Sequence, residues 1–189
     1  SACMESMKDK AVNTLYLAST TFPFLDRQSS VLVCEALNLE RQLRTMDIGG
    51  SQRAGTSALI SLLESKHVES GILVASEHRR SKAGSRAEML WGDAAAAVAI
   101  GSKNVIAEVL GVKTLAVDFV DHYRGEEATF DYGWEERWIR DEGFMKTVPS
   151  VVDAVLDQCS VKAGDIGHFI IPTDQARTPK GLAREIGID

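Results

Sequence analysis

The feature that most limits the possible folds is a strand that turns into a helix through two glycines. Residues 44–48 form a strand pattern, Gly49 and Gly50 follow, and helical spacing of apolar residues begins near Arg53. Strand and helix patterns alternate along the rest of the chain, which predicts an α/β protein whose sheet is covered by helices. The predicted strands are 13–19, 44–48, 72–76, 93–100, 105–117 and 168–172, with 72–76 and 93–100 expected to be buried, and the predicted helices are 1–8, 29–39, 53–66, 148–161 and 180–186.

Charge and cysteine content exclude several functional classes. The chain carries 21 Lys and Arg against 27 Asp and Glu, a net charge of -6, which argues against non-specific binding to nucleic acid or anionic membranes. No apolar run approaches the roughly 20 residues of a membrane span. Cys3, Cys34 and Cys159 show no metal-binding spacing and suit a reducing compartment. We expect a cytoplasmic protein without a metal site.

A weak internal repeat suggests two similar halves. Residues 6–19 are similar to 160–173, and residues 33–40 are similar to 182–189. Similarity this short also arises by chance in α/β proteins, so the repeat is a hypothesis. The chain begins within a helix pattern and ends as the last helix pattern ends. We therefore expect it to be a piece of a larger protein.

The glycine junction is also a candidate site. Ser51 and Gln52 lie where the predicted helix begins, and backbone N–H groups at such a helix end favour negative charge. Enzymes use this arrangement to activate a nucleophile or to hold an oxyanion. The alternative is that Gly49 and Gly50 only turn the chain and let the helix pack closely.

Several segments together resemble the thiolase superfamily, and most closely its hydroxymethylglutaryl-CoA synthase-like and ketoacyl-carrier-protein-synthase-III-like branch. These are the junction at 44–59, the strand and loop at 15–24, the Trp-Gly-Asp-Ala segment at 91–101, and the strand patterns at 105–111 and 169–175. The resemblance implies a thiolase-like fold with internally duplicated halves and mixed sheets covered by helices. Residues 1–101 would be the latter part of the first half, and 102–189 the beginning of the second.

The resemblance also implies a chemistry and its partners. The family transfers acyl groups through a cysteine at this helix N-terminus, with a catalytic histidine at a strand end of the second half. In this chain the cysteine position falls on Gln52, next to Ser51, and the histidine position falls on Thr173. A cysteine-less branch resembles the chain best, and its members are often linked to a zinc-ribbon and OB-fold protein. The implied substrate is a coenzyme A thioester, with no bound cofactor and a homodimeric assembly.

A basic cluster is the candidate contact for the CoA phosphates. Arg79, Arg80 and Arg86 lie within a short segment of an otherwise acidic chain, and Arg forms bidentate bonds with phosphate. A solvated loop is the alternative. Asp93, after Gly92, is interpreted as structural, and Cys34 is expected in the core.

Three functional hypotheses follow from these residues. The first is an acyl-CoA-binding protein of an acyl-transferring system, catalytically impaired or dependent on a partner. The second is a non-cysteine acyltransferase or decarboxylase in which Gln52 and the helix N-terminus form the oxyanion pocket. The third is a structural subunit whose helix after Gln52 packs in a dimer core. Whether the chain is an enzyme is left open by the sequence.

Overall fold

The computed structural model describes residues 2–5 and 11–188, and these form two compact units. The first unit comprises Ser1–Arg79 and Trp91–Ala107, and the second comprises Arg80–Leu90 and Glu108–Asp189. Of the predicted N-terminal helix at 1–8, the structure describes one turn, α1 (Ala2–Glu5), and the rest of that prediction lies outside the described residues.

A four-stranded mixed sheet forms the first unit. Its strands lie in the order β2-β1-β3-β4, with β1, β2 and β3 parallel and β4 antiparallel to β3. The strands are β1 (Thr14–Ala18), β2 (Arg44–Ile48), β3 (Ser70–Glu77) and β4 (Ala94–Gly101), and the helices of this unit are α1, α2 (Ser29–Ala36) and α3 (Ala54–Glu64). The parallel strands are joined through α2 and α3, as parallel pairing requires.

The two longer helices cover opposite faces of this sheet. Successive side chains of a strand point to opposite faces, and in β1 both faces are buried. Leu15 packs with Cys34 of α2, whereas Tyr16 packs with Ala58 and Leu62 of α3. Burial of a side chain such as Leu62 contributes about 1.5–3 kcal/mol, so these contacts hold α3 and its N-terminus in place.

The last strand of the sheet differs from expectation in its burial. Residues 93–100 were predicted as a buried strand, and β4 covers nearly that range, but its side chains from Ala94 to Ala99 are exposed. The run of alanines is apolar and so predicted burial, but an apolar run does not show whether its strand lies in the middle or at the end of a sheet. β4 occupies the end of the strand order, next to β3.

The second unit is built mainly from helices. Leu182, Ile186 and Ile188 form its buried cluster, against which Phe144 and Val152 pack. Its elements are α4 (Arg86–Leu90), a hairpin of β5 (His122–Tyr123) and β6 (Tyr132–Gly133), α5 (Glu136–Trp138), a π-helical turn (Ile139–Phe144), α6 (Met145–Cys159), a 3-10 turn (Ala163–Asp165) and α7 (Thr178–Ile186).

Two sequence predictions in the second half are wrong. Residues 105–117 and 168–172 were predicted as strands, and neither pairs with another strand among the described residues. A strand needs a neighbour that accepts its hydrogen bonds, and an apolar pattern does not supply one. The segment at 105–117 instead approaches the end of α6, since a Cβ on Gly111 would lie 2.5 Å from Cys159 Sγ.

Candidate functional site

The turn between β2 and α3 forms the centre of the candidate site. The three parallel strands end at one edge of the sheet, and Gly49 to Arg53 leave β2 at that edge. Gly50 has a φ of 74°, a backbone conformation that glycine adopts without strain. Ser51 Oγ accepts the Arg53 N–H at 3.2 Å, and the Ser51 carbonyl accepts the Ala54 N–H at 2.9 Å. Ser51 and Gln52 are both exposed at the start of α3.

The loop after β1 packs directly against this turn. The Ser19 N–H donates to the Ile48 carbonyl at 3.1 Å. A Cβ on Gly49 would lie 3.0 Å from the Ser19 carbonyl oxygen and 3.2 Å from the Phe22 ring, so only glycine fits there without a shift. The loop at 19–22 therefore borders the start of the turn that leads to Gln52.

A carboxylate on β2 joins the same edge to α2. Asp47 Oδ2 accepts the Ser29 N–H at 2.5 Å, and Oδ1 accepts the Ser30 N–H at 2.8 Å. The residue before this helix, Gln28, makes no side-chain capping bond. Asp47 thus supplies the acceptors that the helix N-terminus needs from another element.

Glu77 and Arg79 form a polar network at the end of β3. Glu77 accepts the Thr20 N–H at 2.7 Å, the Thr20 hydroxyl at 3.1 Å and the Thr21 hydroxyl at 3.0 Å. Arg79 Nη2 donates to Thr20 Oγ1 at 2.6 Å. Next to it, His78 Nδ1 lies 2.7 Å from Asp93 Oδ2 in an exposed pair. The network fixes the loop after β1 to the end of β3.

In the second unit, Arg86 is held by carboxylates. It forms an ion pair with Glu136, and its Nη2 lies 3.7 Å from Asp174 Oδ2 and 3.2 Å from the Asp174 carbonyl oxygen. Thr173, the neighbour of Asp174, accepts the Gln175 N–H on its hydroxyl at 3.1 Å. Arg86 would have to exchange these carboxylates before it could contact a phosphate.

The predicted site residues are divided between the two units. Ser51, Gln52 and Arg79 belong to the first unit, and Arg80, Arg86 and Thr173 belong to the second. Sequence reasoning missed the acidic partners of the arginines, which are Glu77, Glu136 and Asp174. A signal for Glu77 is present in the sequence, because a carboxylate follows the predicted apolar strand 72–76 and lies two residues before Arg79.

The thiols of Cys34 and Cys3 are not activated. Cys34 is 7% exposed in the core, as expected from the sequence, and burial together with the charge of Glu35 raises the pKa of its thiol. Burial also raises the pKa of Cys3. Reactive cysteines require a lowered pKa, so neither thiol has the electrostatic setting of a nucleophile.

The described residues give no support for a metal centre or a membrane segment. Within 2–5 and 11–188, His, Cys, Asp and Glu do not gather in groups of three or more that suit a metal ion. Among the helices that the structure describes, none combines the length and apolarity needed to span a bilayer.

Comparison with solved structures decides the fold. A 3-oxoacyl-[acyl-carrier-protein] synthase III from Aquifex aeolicus superposes on 99% of the chain with a TM-score of 0.80 at 16% identity, and the match covers 64% of that structure. The chain has a thiolase-like fold. The structure of MvaS in complex with 3-hydroxy-3-methylglutaryl coenzyme A matches 98% of the thiolase-like chain with a TM-score of 0.74 at 16% identity. The match covers 48% of the MvaS structure. The fold expected from the sequence is confirmed.

Sequence comparison leads to the same group. A hydroxymethylglutaryl-CoA synthase of Caldivirga maquilingensis is 23% identical over 184 residues, which cover 96% of the thiolase-like chain and 52% of the synthase. The corresponding synthase of Methanothermobacter thermautotrophicus is 21% identical over 182 residues, which cover 94% of the thiolase-like chain and 52% of that synthase. The chain thus spans about half the length of these relatives. Models of protein families were also compared, and none matches. The resemblance inferred from the sequence motifs is confirmed.

Proposed function

We propose that this thiolase-like chain is part of a protein that binds CoA thioesters within an acyl-transferring system of the hydroxymethylglutaryl-CoA synthase type. The observation that carries the proposal is the placement of Gln52, exposed at the N-terminus of α3 and at the edge where β1, β2 and β3 end. Similar solved structures hold CoA or 3-hydroxy-3-methylglutaryl coenzyme A.

In this proposal Gln52 stands at the position of the family's catalytic cysteine. A side-chain amide does not form a thioester, but it donates hydrogen bonds, and the adjacent helix end adds the positive end of its dipole. Both groups stabilise negative charge on a carbonyl oxygen. The site then binds a thioester without being acylated, and Thr173, at the histidine position, supplies no general base.

The arginines have different roles in this proposal. Arg80 is exposed, and we retain it as a contact for the CoA phosphates. Arg86 is already paired with Glu136 and Asp174. A phosphate contact at Arg80 predicts that Arg80→Met weakens binding of acetyl-CoA but leaves S-acetyl-pantetheine, which lacks those phosphates, unaffected.

The test of the proposal is an equilibrium titration of the full-length protein with acetyl-CoA. We expect saturable binding, weakened about fivefold by Gln52→Ala, as the loss of one hydrogen bond of about 1 kcal/mol predicts. Lys66→Met is a matched control, because Lys66 is exposed beyond the other end of α3. Absence of binding at millimolar acetyl-CoA would favour the structural-subunit hypothesis.

A second candidate is an acyltransferase or decarboxylase that uses no cysteine. It is favoured by Gln52, an exposed residue at a helix N-terminus, whose type of side chain can donate to an oxyanion or enolate. Here Gln52→Ala should raise the barrier by roughly 2.7–4 kcal/mol, the usual loss for one such donor. An unchanged rate of decarboxylation or transfer in that variant would remove this candidate.

The proposal includes an assembly and a location. By resemblance to the cysteine-less branch, we include a homodimer and a zinc-ribbon and OB-fold partner protein, acting in the cytoplasm without a bound cofactor. The net charge of -6 disfavours binding to nucleic acid or anionic membranes, because like charges repel. Sedimentation equilibrium of the full-length protein tests the dimer, and a concentration-independent monomer mass would contradict it.

A further inference from the structure

Arg79 is covered to an unusual degree for an arginine in a basic cluster. Its side chain is 14% exposed, whereas the neighbouring His78 side chain is 74% exposed. Its Nη2 donates to Thr20 Oγ1 at 2.6 Å, and its Nε lies 3.9 Å from Glu77 Oε2. The guanidinium is thus directed toward the loop after β1, and a solvated-loop interpretation does not fit it.

The hydrogen bonds around Arg79 define one arrangement of donors and acceptors. Because arginine only donates, Thr20 Oγ1 accepts from Arg79 and gives its own proton to Glu77. Thr21 Oγ1 donates to Glu77 and accepts the His78 N–H at 3.0 Å. Each hydroxyl therefore acts once as donor to the same carboxylate, which leaves the loop little freedom to turn.

This loop is also the one that borders the Gln52 turn. The Ser19 N–H donates to the Ile48 carbonyl, and the Phe22 ring would lie 3.2 Å from a Cβ on Gly49. A displacement at Thr20 would therefore reach Gly49 through Ser19 and Phe22, which lie on either side of Thr20 in the sequence. Gln52 lies three residues after Gly49.

We propose that Arg79 is a positioning residue, which acts through Thr20 and Glu77 to hold the loop at 19–22 against the Gly49–Gln52 turn and so shapes the thioester end of the site. The inference rests on the function proposed above for Gln52. It assigns Arg79 to the thioester portion of the ligand and not to the CoA phosphates.

Two ligands separate these assignments. Acetyl-CoA and S-acetyl-pantetheine share the thioester, but only the first carries the nucleotide phosphates. We expect Arg79→Met to weaken binding of both by the same factor, about tenfold. Thr20→Val should give a similar loss, and the double variant should lose little more, because both substitutions break the same network.

Controls separate positioning from general destabilisation. Lys66→Met should leave both affinities unchanged, and Arg79→Lys, which keeps a charged donor, should recover part of the loss. Amide hydrogen exchange supplies a readout independent of ligand. Arg79→Met and Thr20→Val should speed exchange of the Ser19 N–H, which donates to the Ile48 carbonyl, and of the Ala54 N–H, which donates to the Ser51 carbonyl. Exchange in the middle of α3, for example at Leu62, should stay unchanged.

The outcomes are distinct. A loss confined to acetyl-CoA would make Arg79 a phosphate contact and overturn the proposal. Unchanged exchange at Ser19 and Ala54 in Arg79→Met, or uniformly faster exchange across the unit, would overturn it as well. If the unsubstituted protein binds neither ligand, the proposed function fails, and the exchange experiment still decides whether Arg79 positions the turn.

Discussion

Asp47 Oδ2 lies 2.5 Å from the backbone nitrogen of Ser29, so a side chain of β2 closes the N-terminus of α2. Its second oxygen accepts the next N–H, from Ser30. Because β2 leads directly into the Gln52 turn, the same residue ties that turn to a helix on the opposite face of the sheet from α3.

Removal of this carboxylate should destabilise the protein. We expect Asp47→Ala to lower the free energy of unfolding by about 1 kcal/mol, within the range for loss of a helix N-cap. Urea unfolding followed by circular dichroism measures the change. Asp47→Asn keeps one acceptor oxygen and should lose less, and equal stability of Asp47→Ala and the parent would show that the bonds contribute nothing.

A side chain at Gly49 should destabilise the protein. A methyl group there would lie 3.0 Å from the Ser19 carbonyl oxygen, a backbone atom that cannot rotate away. Gly49→Ala should therefore cost about 1–3 kcal/mol of stability, as overpacking does. Gly92→Ala is the matched control, since a Cβ at Gly92 meets no atom within 4 Å. Equal melting temperatures of the two variants would contradict the close approach.

The β5–β6 hairpin should give the second unit an acid-sensitive contribution. Burial raises the pKa of Asp121, but the hydrogen bond and charge of the His122 side chain, together with hydrogen bonds from backbone N–H groups, outweigh it, and the pKa lies below its usual range. A carboxyl with a lowered folded pKa stabilises the protein above its unfolded pKa of about 3.9, and this contribution disappears as the pH falls through the folded value.

The pH dependence can be isolated with one variant. Asp121→Asn should melt below the parent protein at pH 7, and the difference should shrink steadily below about pH 4. Thermal unfolding followed by tryptophan fluorescence in a Trp91→Phe background reports on this unit, because Trp134 and Trp138, whose ring centroids lie 5.0 Å apart, both belong to it. A difference that grows on acidification would contradict the assigned sign.

Restoring a cysteine at the proposed catalytic position should give a reactive thiol. In Gln52→Cys the thiol lies at the N-terminus of α3, where the helix dipole lowers its pKa. We expect alkylation by iodoacetamide at pH 7 about tenfold faster than for an ordinary exposed cysteine. Lys66→Cys, placed beyond the other end of α3, is the reference. A slower reaction in Gln52→Cys would indicate that the N-terminus of α3 does not lower the pKa of a thiol at residue 52.

The first half of the chain was predictable because its signals are local. The β2 strand was predicted at its observed bounds, and α3 within two residues at each end, since helical spacing and the Gly49–Gly50 stop are both visible in the sequence. The resemblance to known synthases came in part from the same junction. Patterns of this kind specify an element without reference to distant partners.

The errors concern properties that distant residues decide. The apolar runs at 105–117 and 168–172 have strand composition, but pairing depends on a neighbouring strand, and none of the described residues provides it. Likewise, the basic cluster predicted contacts with phosphate. The sequence does not show that Glu77 lies close to Arg79 and that Asp174 lies close to Arg86. Arg86 and Asp174, for example, are 88 residues apart in the sequence.

The most direct test of the central claim is mass spectrometry of the full-length protein with acetyl-CoA, recorded under native and then denaturing conditions. We predict that the native spectrum gains the mass of whole acetyl-CoA, and that denaturation returns the unmodified protein, because Gln52 binds the thioester without forming a covalent bond. An acetyl group that survives denaturation, or a native spectrum without ligand at millimolar acetyl-CoA, would contradict it.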